Sequence, residues 1–176
     1  EGRADLLTLA YGKDDNLLWA EQHDGAARKD DYARAITVDD SSNVYVTGSS
    51  ENANIVSQVS TVKYDKEGNI AWIATLKEKE PVEPLIMQPA YLHLGKQQDP
   101  AYLYIAAAVE NSAALIRCNA NGFYSARAKS GMRGKVCRPT ALSGKCMAVE
   151  CISNNLVKAY LVKFGPSELL GIARWD

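Results

Sequence analysis

The sequence predicts an all-β fold assembled from hairpins, on three observations. No window of the 176 residues keeps the 3.6-residue apolar period of a helix through three turns. The apolar residues fall instead in strand-length runs that end at turns rich in Gly, Asn and Asp, residues that accept the positive φ of tight hairpins. Several runs, such as Leu6–Leu7 and Tyr102–Ile105, are apolar at consecutive positions, which is typical of sheets buried on both faces.

One type of hairpin occurs four times along the chain, at residues 5–22, 59–76, 113–130 and 158–175. In each copy an apolar strand ends at an aromatic residue or a cysteine, a polar turn follows, and a second apolar strand begins. The first strands end at Tyr11, Tyr64, Cys118 and Phe164, and the second strands begin at Leu17, Ile70, Phe123 and Leu169. The strand ends are 53, 54 and 46 residues apart, and a period near 50 indicates the blades of a β-propeller or a similar array.

A second type of hairpin lies between these copies. Residues 33–50 turn at Asp39–Asn43, residues 135–153 turn at Leu142–Gly144, and a longer copy at 84–110 turns at Gly95–Pro100. We therefore predict a single β-propeller-like domain over residues 1–176, an array of about three and a half to four four-stranded antiparallel blades. Its units lie at about 5–24, 33–76, 84–130 and 135–176. The array is either part of a larger ring or a complete small four-bladed propeller.

The second copy carries a family resemblance. Residues 35–49 read AITVDDSSNVYVTGS and residues 62–72 read VKYDKEGNIAW, a pattern that resembles the SBBP family of bacterial β-propeller repeats. The resemblance is close over 33–76, partial over 5–24, and weak elsewhere; Ser42 stands where the family usually has a glycine. The matching positions are Asn43, Tyr45, Val46, Thr47, Gly48, Lys63, Tyr64, Asp65, Gly68, Asn69 and Trp72.

The resemblance implies a propeller on bacterial surface or secreted proteins and supplies no catalytic residue. Glycines at the repeat positions would allow close backbone approach, Asp and Asn would bond the turns, and Tyr and Trp would pack between blades. The positions expected to be structural are Tyr11, Trp19, Asn43, Tyr45, Gly48, Tyr64, Asp65, Gly68, Asn69 and Trp72.

The net charge of -1 conceals two opposed regions. Residues 1–110 carry 18 acidic and 10 basic side chains, whereas residues 111–176 carry 3 and 10. Such asymmetry indicates an anionic partner, complementary surfaces that meet each other, or simply a solvated basic face. The candidate basic interaction patch is Arg127, Lys129, Arg133, Lys135 and Arg138. Nucleic acid is a disfavoured partner because Tyr124 is the one aromatic residue interleaved with this stretch.

The sequence favours no catalytic, cofactor or metal site. Carboxylates in the turns Asp14–Asn16, Asp39–Asn43 and Asp65–Asn69 have the oxygen chemistry of calcium ligands, but hairpin tips use Asp and Asn for their own hydrogen bonds. We therefore expect no calcium at these turns. The two histidines, His23 and His93, lie on separate repeats, which disfavours a nucleophilic site.

Cysteine usage leaves the redox state open. Cys118, Cys137, Cys146 and Cys151 permit two disulfides in three connectivities if the chain is exported. No pair has Cys-x-x-Cys spacing, which disfavours a structural zinc site.

The expected function is that of a non-catalytic scaffold, exported to the periplasm, the cell surface or the medium of a bacterium, that binds a protein or glycan. The alternative is a lactonase- or lyase-like propeller enzyme with carboxylates at the central channel. No apolar run reaches the roughly 20 residues of a membrane-spanning helix. Because seven hairpins do not make whole blades, we expect a second copy to complete the ring as a homodimer, or a longer chain to supply the rest. Glu1 is not a natural initiator, which indicates a processed chain or a fragment.

Overall fold

The computed structural model describes residues 3–54, 56–76, 87–95, 102–109, 112–119, 121–130, 136–143, 146–153, 156–164 and 169–175. Within these residues the regular secondary structure consists of antiparallel strands. The strands are β1 (Leu6–Tyr11), β2 (Leu17–His23), β3 (Asp31–Val38), β4 (Val44–Glu51), β5 (Ser57–Tyr64), β6 (Ile70–Leu76), β7 (Met87–Gly95), β8 (Tyr102–Val109), β9 (Ser112–Asn119), β10 (Tyr124–Ser130), β11 (Val136–Ser143), β12 (Cys146–Ser153), β13 (Leu156–Phe164) and β14 (Leu169–Trp175).

The chain forms two compact units, residues 1–86 and 87–176. In the first unit β1 pairs with β2 as a two-stranded sheet, and a four-stranded sheet has the order β3-β4-β5-β6. The second unit contains two four-stranded sheets, β7-β8-β9-β10 and β11-β12-β13-β14. In every sheet the strands pair in sequence order, so each connection is a hairpin. The predicted all-β fold with antiparallel four-stranded sheets is confirmed.

One turn geometry closes four of the hairpins. The first residue of the turn donates its N–H to the carbonyl oxygen four residues later, at 2.8 to 3.0 Å. The fourth residue donates to the carbonyl oxygen of the first and has a positive φ, the geometry of a type I turn followed by a left-handed residue. The turns begin at Gly12, Asp39, Asp65 and Asn119. Their left-handed residues are Asp15 (φ 57°), Ser42 (φ 64°), Gly68 (φ 94°) and Gly122 (φ 84°).

Some predicted strand boundaries differ from the structure: β9 ends at Asn119 rather than at Cys118, and Leu142 and Ser143, predicted to turn, lie in β11. Phe123 was expected to begin the second strand of its hairpin, but β10 begins at Tyr124, which pairs with Cys118. The Phe123 carbonyl accepts the N–H of Asn119 at 2.9 Å, so Phe123 is the last residue of the turn and its side chain is 69% exposed. Apolarity alone predicts a strand at Phe123, but in the structure this apolar side chain occupies a turn position.

The first strand of each four-stranded sheet has a bulge at the same place. The register shifts between Ala33 and Ala35 in β3, between Pro89 and Tyr91 in β7, and between Pro139 and Ala141 in β11. These are edge strands, where a proline is tolerated because its missing N–H breaks no ladder bond. Opposite the β3 bulge stands Gly48, where a Cβ would lie 2.1 Å from the carbonyl oxygen of Tyr32, so no larger residue fits without moving the backbone.

Each unit has a buried core. In the first unit the core cluster consists of Leu6 from β1 with Val46, Val62 and Tyr64 from the four-stranded sheet; Trp19 and Val44 pack against it. In the second unit the consecutive residues Leu103–Ala107 of β8 are all buried. Burial at consecutive strand positions requires both faces of the sheet to be covered, as the unbroken apolar run predicts. Among the described residues no helix has the length and hydropathy needed to cross a membrane.

Candidate functional site

The first hairpin and the hairpin β5–β6 occupy equivalent positions in the repeat. Both have a register shift at the tyrosine that ends their first strand, where Tyr11 pairs with Leu17 and Tyr64 pairs with Ile70. Counting back from these tyrosines, Leu9 corresponds to Val62 and Leu7 to Ser60. Counting forward, Trp19 corresponds to Trp72, since each lies two residues beyond the paired leucine or isoleucine. Residues with the same place in the repeat can therefore be compared directly.

In the four-stranded sheet, the face that carries Tyr64 is covered by the first hairpin. Val62 and Tyr64 are fully buried, and Leu6 and Trp19 pack on them. The rings of Trp19 and Tyr64 are 5.6 Å apart between centroids. Trp19 Nε1 also donates to the carbonyl oxygen of Lys66, at 3.1 Å, in the turn between β5 and β6. Burial raises the pKa of Tyr64 above its ordinary value.

On the first hairpin the equivalent face is exposed. Leu7, Leu9 and Tyr11 alternate with the inward residues Leu6 and Thr8, and they are 56%, 44% and 58% exposed. Leu18 of β2 precedes Trp19 and lies on the opposite, outward face of the strand, where it is 58% exposed. We call Leu7, Leu9, Tyr11 and Leu18 the open face. Four large apolar side chains on one short hairpin are a contiguous patch, and such patches mark sites of interaction.

A groove adjoins the open face. It has a volume of about 290 Å³, and Leu7 and Leu9 of β1 form one wall while Arg34 and Ile36 of β3 line the other. Ile36 is itself 58% exposed. Among the described strands β1 pairs only with β2, so one edge of β1 is unpaired. An unpaired edge strand beside a groove is a surface on which another chain can add a strand.

The acidic turns that the sequence singled out use their carboxylates within the turn. Asp39 Oδ1 accepts the backbone N–H groups of Ser41 and Asn43, at 2.9 and 2.8 Å, and Oδ2 accepts the Asn43 amide and the Tyr45 hydroxyl, at 2.7 and 3.1 Å. Burial opposes ionisation of Asp39, but these hydrogen bonds outweigh it and hold its pKa below the ordinary range. Asp65 makes the equivalent bonds to Glu67 and to Asn69.

Two aromatic repeat positions, Tyr45 and Trp72, lie on one face of the same sheet. Tyr45, Lys63 and Trp72 are cross-strand neighbours on β4, β5 and β6. The rings of Tyr45 and Trp72 are 6.1 Å apart, and Lys63 Nζ lies 5.2 Å from the centroid of Tyr45. Burial, and then the hydrogen bond to Asp39, raise the pKa of the Tyr45 hydroxyl. Because the Tyr45 hydroxyl donates to Asp39 Oδ2, this row connects the turn at Asp39 to the sheet.

The candidate basic patch stays a prediction. Arg127 and Lys129 lie in β10 and Arg138 lies in β11, but their side chains are outside the described part of the structure. Arg133 and Lys135 lie outside the described residues altogether.

Among the cysteines, Cys118 is a free thiol. It is fully buried in β9, and burial raises its pKa to about 12. The backbone register places Cys137 opposite Cys151 on β11 and β12.

Sequence reasoning missed a cluster of three carboxylates. Asp5, Asp24 and Asp31 each offer an oxygen within 4.8 Å of the other two. They are separated along the chain and belong to no common motif, so spacing did not indicate them. The available signal was that each stands next to the end of an apolar strand.

The comparison with known families agrees with this geometry. Residues 22–55 match the model of the SBBP family, a β-propeller repeat. The match begins at the end of β2 and includes the β3–β4 hairpin with its bulge, its turn at Asp39 and Gly48. No curated protein matches the chain. Residues 22–55 of this chain are therefore similar to an SBBP β-propeller repeat.

Proposed function

We propose that this chain is a non-catalytic β-propeller scaffold, acting at the surface of a bacterium or after export, and that a second copy of the chain docks on the open face of its first hairpin. The observation that carries the proposal is the contrast between equivalent positions. Val62 is fully buried in the four-stranded sheet, whereas Leu9, at the same place in the first hairpin, is 44% exposed.

The energetics favour an occupant on the open face. Complete burial of one leucine side chain is worth about 1.5–3 kcal/mol, and the open face includes Leu7, Leu9 and Leu18. A two-stranded sheet by itself is marginally stable in water, so β1 and β2 gain from a partner on their second face and along the unpaired edge of β1. Repeat proteins are stabilised in the same way, since each unit buries its apolar face against the next unit.

Charge and strand number support a second copy as that occupant. Residues 1–110 carry 18 acidic and 10 basic side chains, and residues 111–176 carry 3 and 10, so the two regions are electrostatically complementary between copies. Each copy has fourteen described strands, and two copies together supply the strands of seven four-stranded blades. A closed ring would leave no unprotected edge strand.

Light scattering coupled to size-exclusion chromatography tests the docking. Over about 1–100 μM the full chain is expected to give the mass of a dimer, and Leu9→Lys is expected to give a monomer because it places a charge in the apolar contact. Phe123→Lys is the matched control: it makes the same kind of change at a side chain that is 69% exposed on a different hairpin. A wild-type monomer at every concentration, or equal disruption by both variants, contradicts the proposal.

The exported location is supported by the resemblance to surface and secreted repeat proteins. Immunodetection in fractions of the native cells tests it, with the protein expected in the envelope or culture fraction. Recovery in the cytosolic fraction alone contradicts this part of the proposal and leaves the docking test unaffected.

A further inference from the structure

Three carboxylates converge where two strands begin and one ends. Asp5 immediately precedes β1, Asp24 immediately follows β2, and Asp31 is the first residue of β3. One carboxylate oxygen of each lies within 4.8 Å of the other two. In the described part of the chain, no Lys, Arg or His side chain forms an ion pair with any of them. Three carboxylates this close therefore repel one another unless a positive charge lies between them.

Asp31 distinguishes this cluster from ordinary surface carboxylates. Its side chain is 3% exposed. Oδ2 accepts the backbone N–H of Gly25 at 2.6 Å, while Oδ1 is buried without a hydrogen-bond partner. A buried carboxylate oxygen with no donor is unfavourable, because it has lost its water and gained nothing in return. A cation among the three carboxylates would supply the missing partner.

Gly25 keeps the space beside this oxygen open. A Cβ at position 25 would lie 2.6 Å from Asp31 Oδ1 and 2.5 Å from the hydroxyl oxygen of Ser50. Ser50 is the register partner of Asp31 on β4, so a neutral oxygen adjoins the same space as the carboxylate. Asp5 also accepts a hydrogen bond from the Gln22 amide, through Oδ2, and this bond orients its carboxylate.

We propose that Asp5, Asp24 and Asp31 bind a calcium ion. Calcium takes six to eight oxygen ligands at about 2.3–2.6 Å, so ligands on opposite sides of one ion are about 4.6–5.2 Å apart. The spacing of the three carboxylates, within 4.8 Å, fits inside that sphere. Bidentate carboxylates and water complete the shell. The turn carboxylates of Asp39 and Asp65 differ, because their oxygens already accept hydrogen bonds within their own turns.

The ion would fasten the first hairpin to the four-stranded sheet. The backbone already joins the two here, since Asp31 donates its N–H to the carbonyl oxygen of Ala4 at 2.7 Å, and the N–H of Ala4 donates to Asp30 Oδ1 at 3.1 Å. Calcium would add a second connection among the start of β1, the end of β2 and the start of β3. It would therefore stabilise the two-stranded sheet at the end that adjoins the loop of residues 24–30.

Isothermal titration calorimetry with CaCl₂ on the full chain, after EDTA treatment and dialysis, tests the site. We expect one calcium ion per chain with a Kd on the order of 10⁻⁵–10⁻³ M, and a melting temperature that rises when CaCl₂ is added. Asp24→Asn is the informative variant because Asp24 is exposed and the fold does not depend on its burial. It is expected to weaken calcium binding by about tenfold or more, and to melt no lower than wild type in EDTA.

Asp14→Asn is the matched control, since it removes the same charge from an exposed hairpin turn. It is expected to bind calcium as wild type does. The assignment is overturned if wild type shows no calcium binding, if Asp24→Asn binds as tightly as wild type, or if Asp14→Asn loses as much affinity as Asp24→Asn. A response to MgCl₂ equal to the response to CaCl₂ overturns the choice of calcium.

Discussion

Trp19 packs directly on Gly68: a Cβ at Gly68 would lie 2.8 Å from Cγ and Cδ2 of the indole. The two residues belong to different sheets, Trp19 to β2 and Gly68 to the turn between β5 and β6. Because the indole also donates to the Lys66 carbonyl in that turn, Trp19 joins the first hairpin to the four-stranded sheet by both packing and hydrogen bonding.

Gly68→Ala is expected to lower the free energy of unfolding by about 2–4 kcal/mol, measured by urea denaturation. Two effects add: alanine at a φ of 94° is strained, and its methyl group collides with Trp19. In a Trp19→Ala background the collision is gone, so the same substitution should lose only about 1 kcal/mol. An equal loss in both backgrounds would show that Trp19 does not press on this position.

Ser42→Gly is expected to stabilise the protein by about 0.5–1 kcal/mol in the same assay. Ser42 has a φ of 64° at the turn position that Gly68 and Gly122 fill elsewhere, so glycine relieves backbone strain there. Ser41→Gly is the control, since Ser41 has no positive φ and glycine only adds freedom to the unfolded chain. The interpretation fails if Ser42→Gly is as destabilising as Ser41→Gly.

Stability is expected to fall as the pH is lowered through the acid range, in part because of Asp39. Its folded-state pKa lies below the ordinary value of about 3.9, so the ionised carboxylate stabilises the fold above that pH. This contribution is lost as the pH falls through the folded-state pKa. Asp39→Asn should lower the free energy of unfolding by about 1 kcal/mol at pH 7.

Denaturation curves from pH 7 to pH 2 check this prediction. The difference between wild type and Asp39→Asn should shrink below about pH 4, because protonated Asp39 no longer accepts its four hydrogen bonds as a charged group. Asp14→Asn, which changes an exposed turn carboxylate, provides the baseline. A difference between wild type and Asp39→Asn that stays constant with pH would contradict the assigned role.

Cys118 is expected to resist alkylation in the folded protein. Its thiol is fully buried with a pKa of about 12, so at pH 8 it presents almost no thiolate and no access to a reagent. Peptide mapping after iodoacetamide treatment should find Cys118 unmodified in buffer and fully modified in 6 M guanidinium chloride. Equal modification in both conditions would show that β9 is open to solvent.

Local sequence was sufficient for most strand ends, although not for the ends of β9 and β11. Tyr11, Tyr64 and Phe164 end strands where the sequence predicts. At each of these positions an apolar run is followed by turn residues, and this local pattern is enough to predict a hairpin. Phe123 was misplaced by one position because turn geometry, rather than apolarity, decides which residue closes the turn.

Contacts between distant segments were not visible in the sequence. Trp19 and Lys66 are 47 residues apart, and the register that brings them together depends on how the first hairpin lies on the sheet. The convergence of Asp5, Asp24 and Asp31 arises in the same way, since strand ends distant in sequence meet only after the hairpin has docked.

Strand period and turn chemistry are local properties, so the amino-acid sequence is enough to predict an all-β chain of repeated hairpins. Which apolar faces are covered depends on the packing of one sheet on another. Val62 and Leu9 occupy the same place in the repeat, and one is buried and the other exposed because burial depends on a neighbouring sheet, which no residue of the hairpin itself specifies.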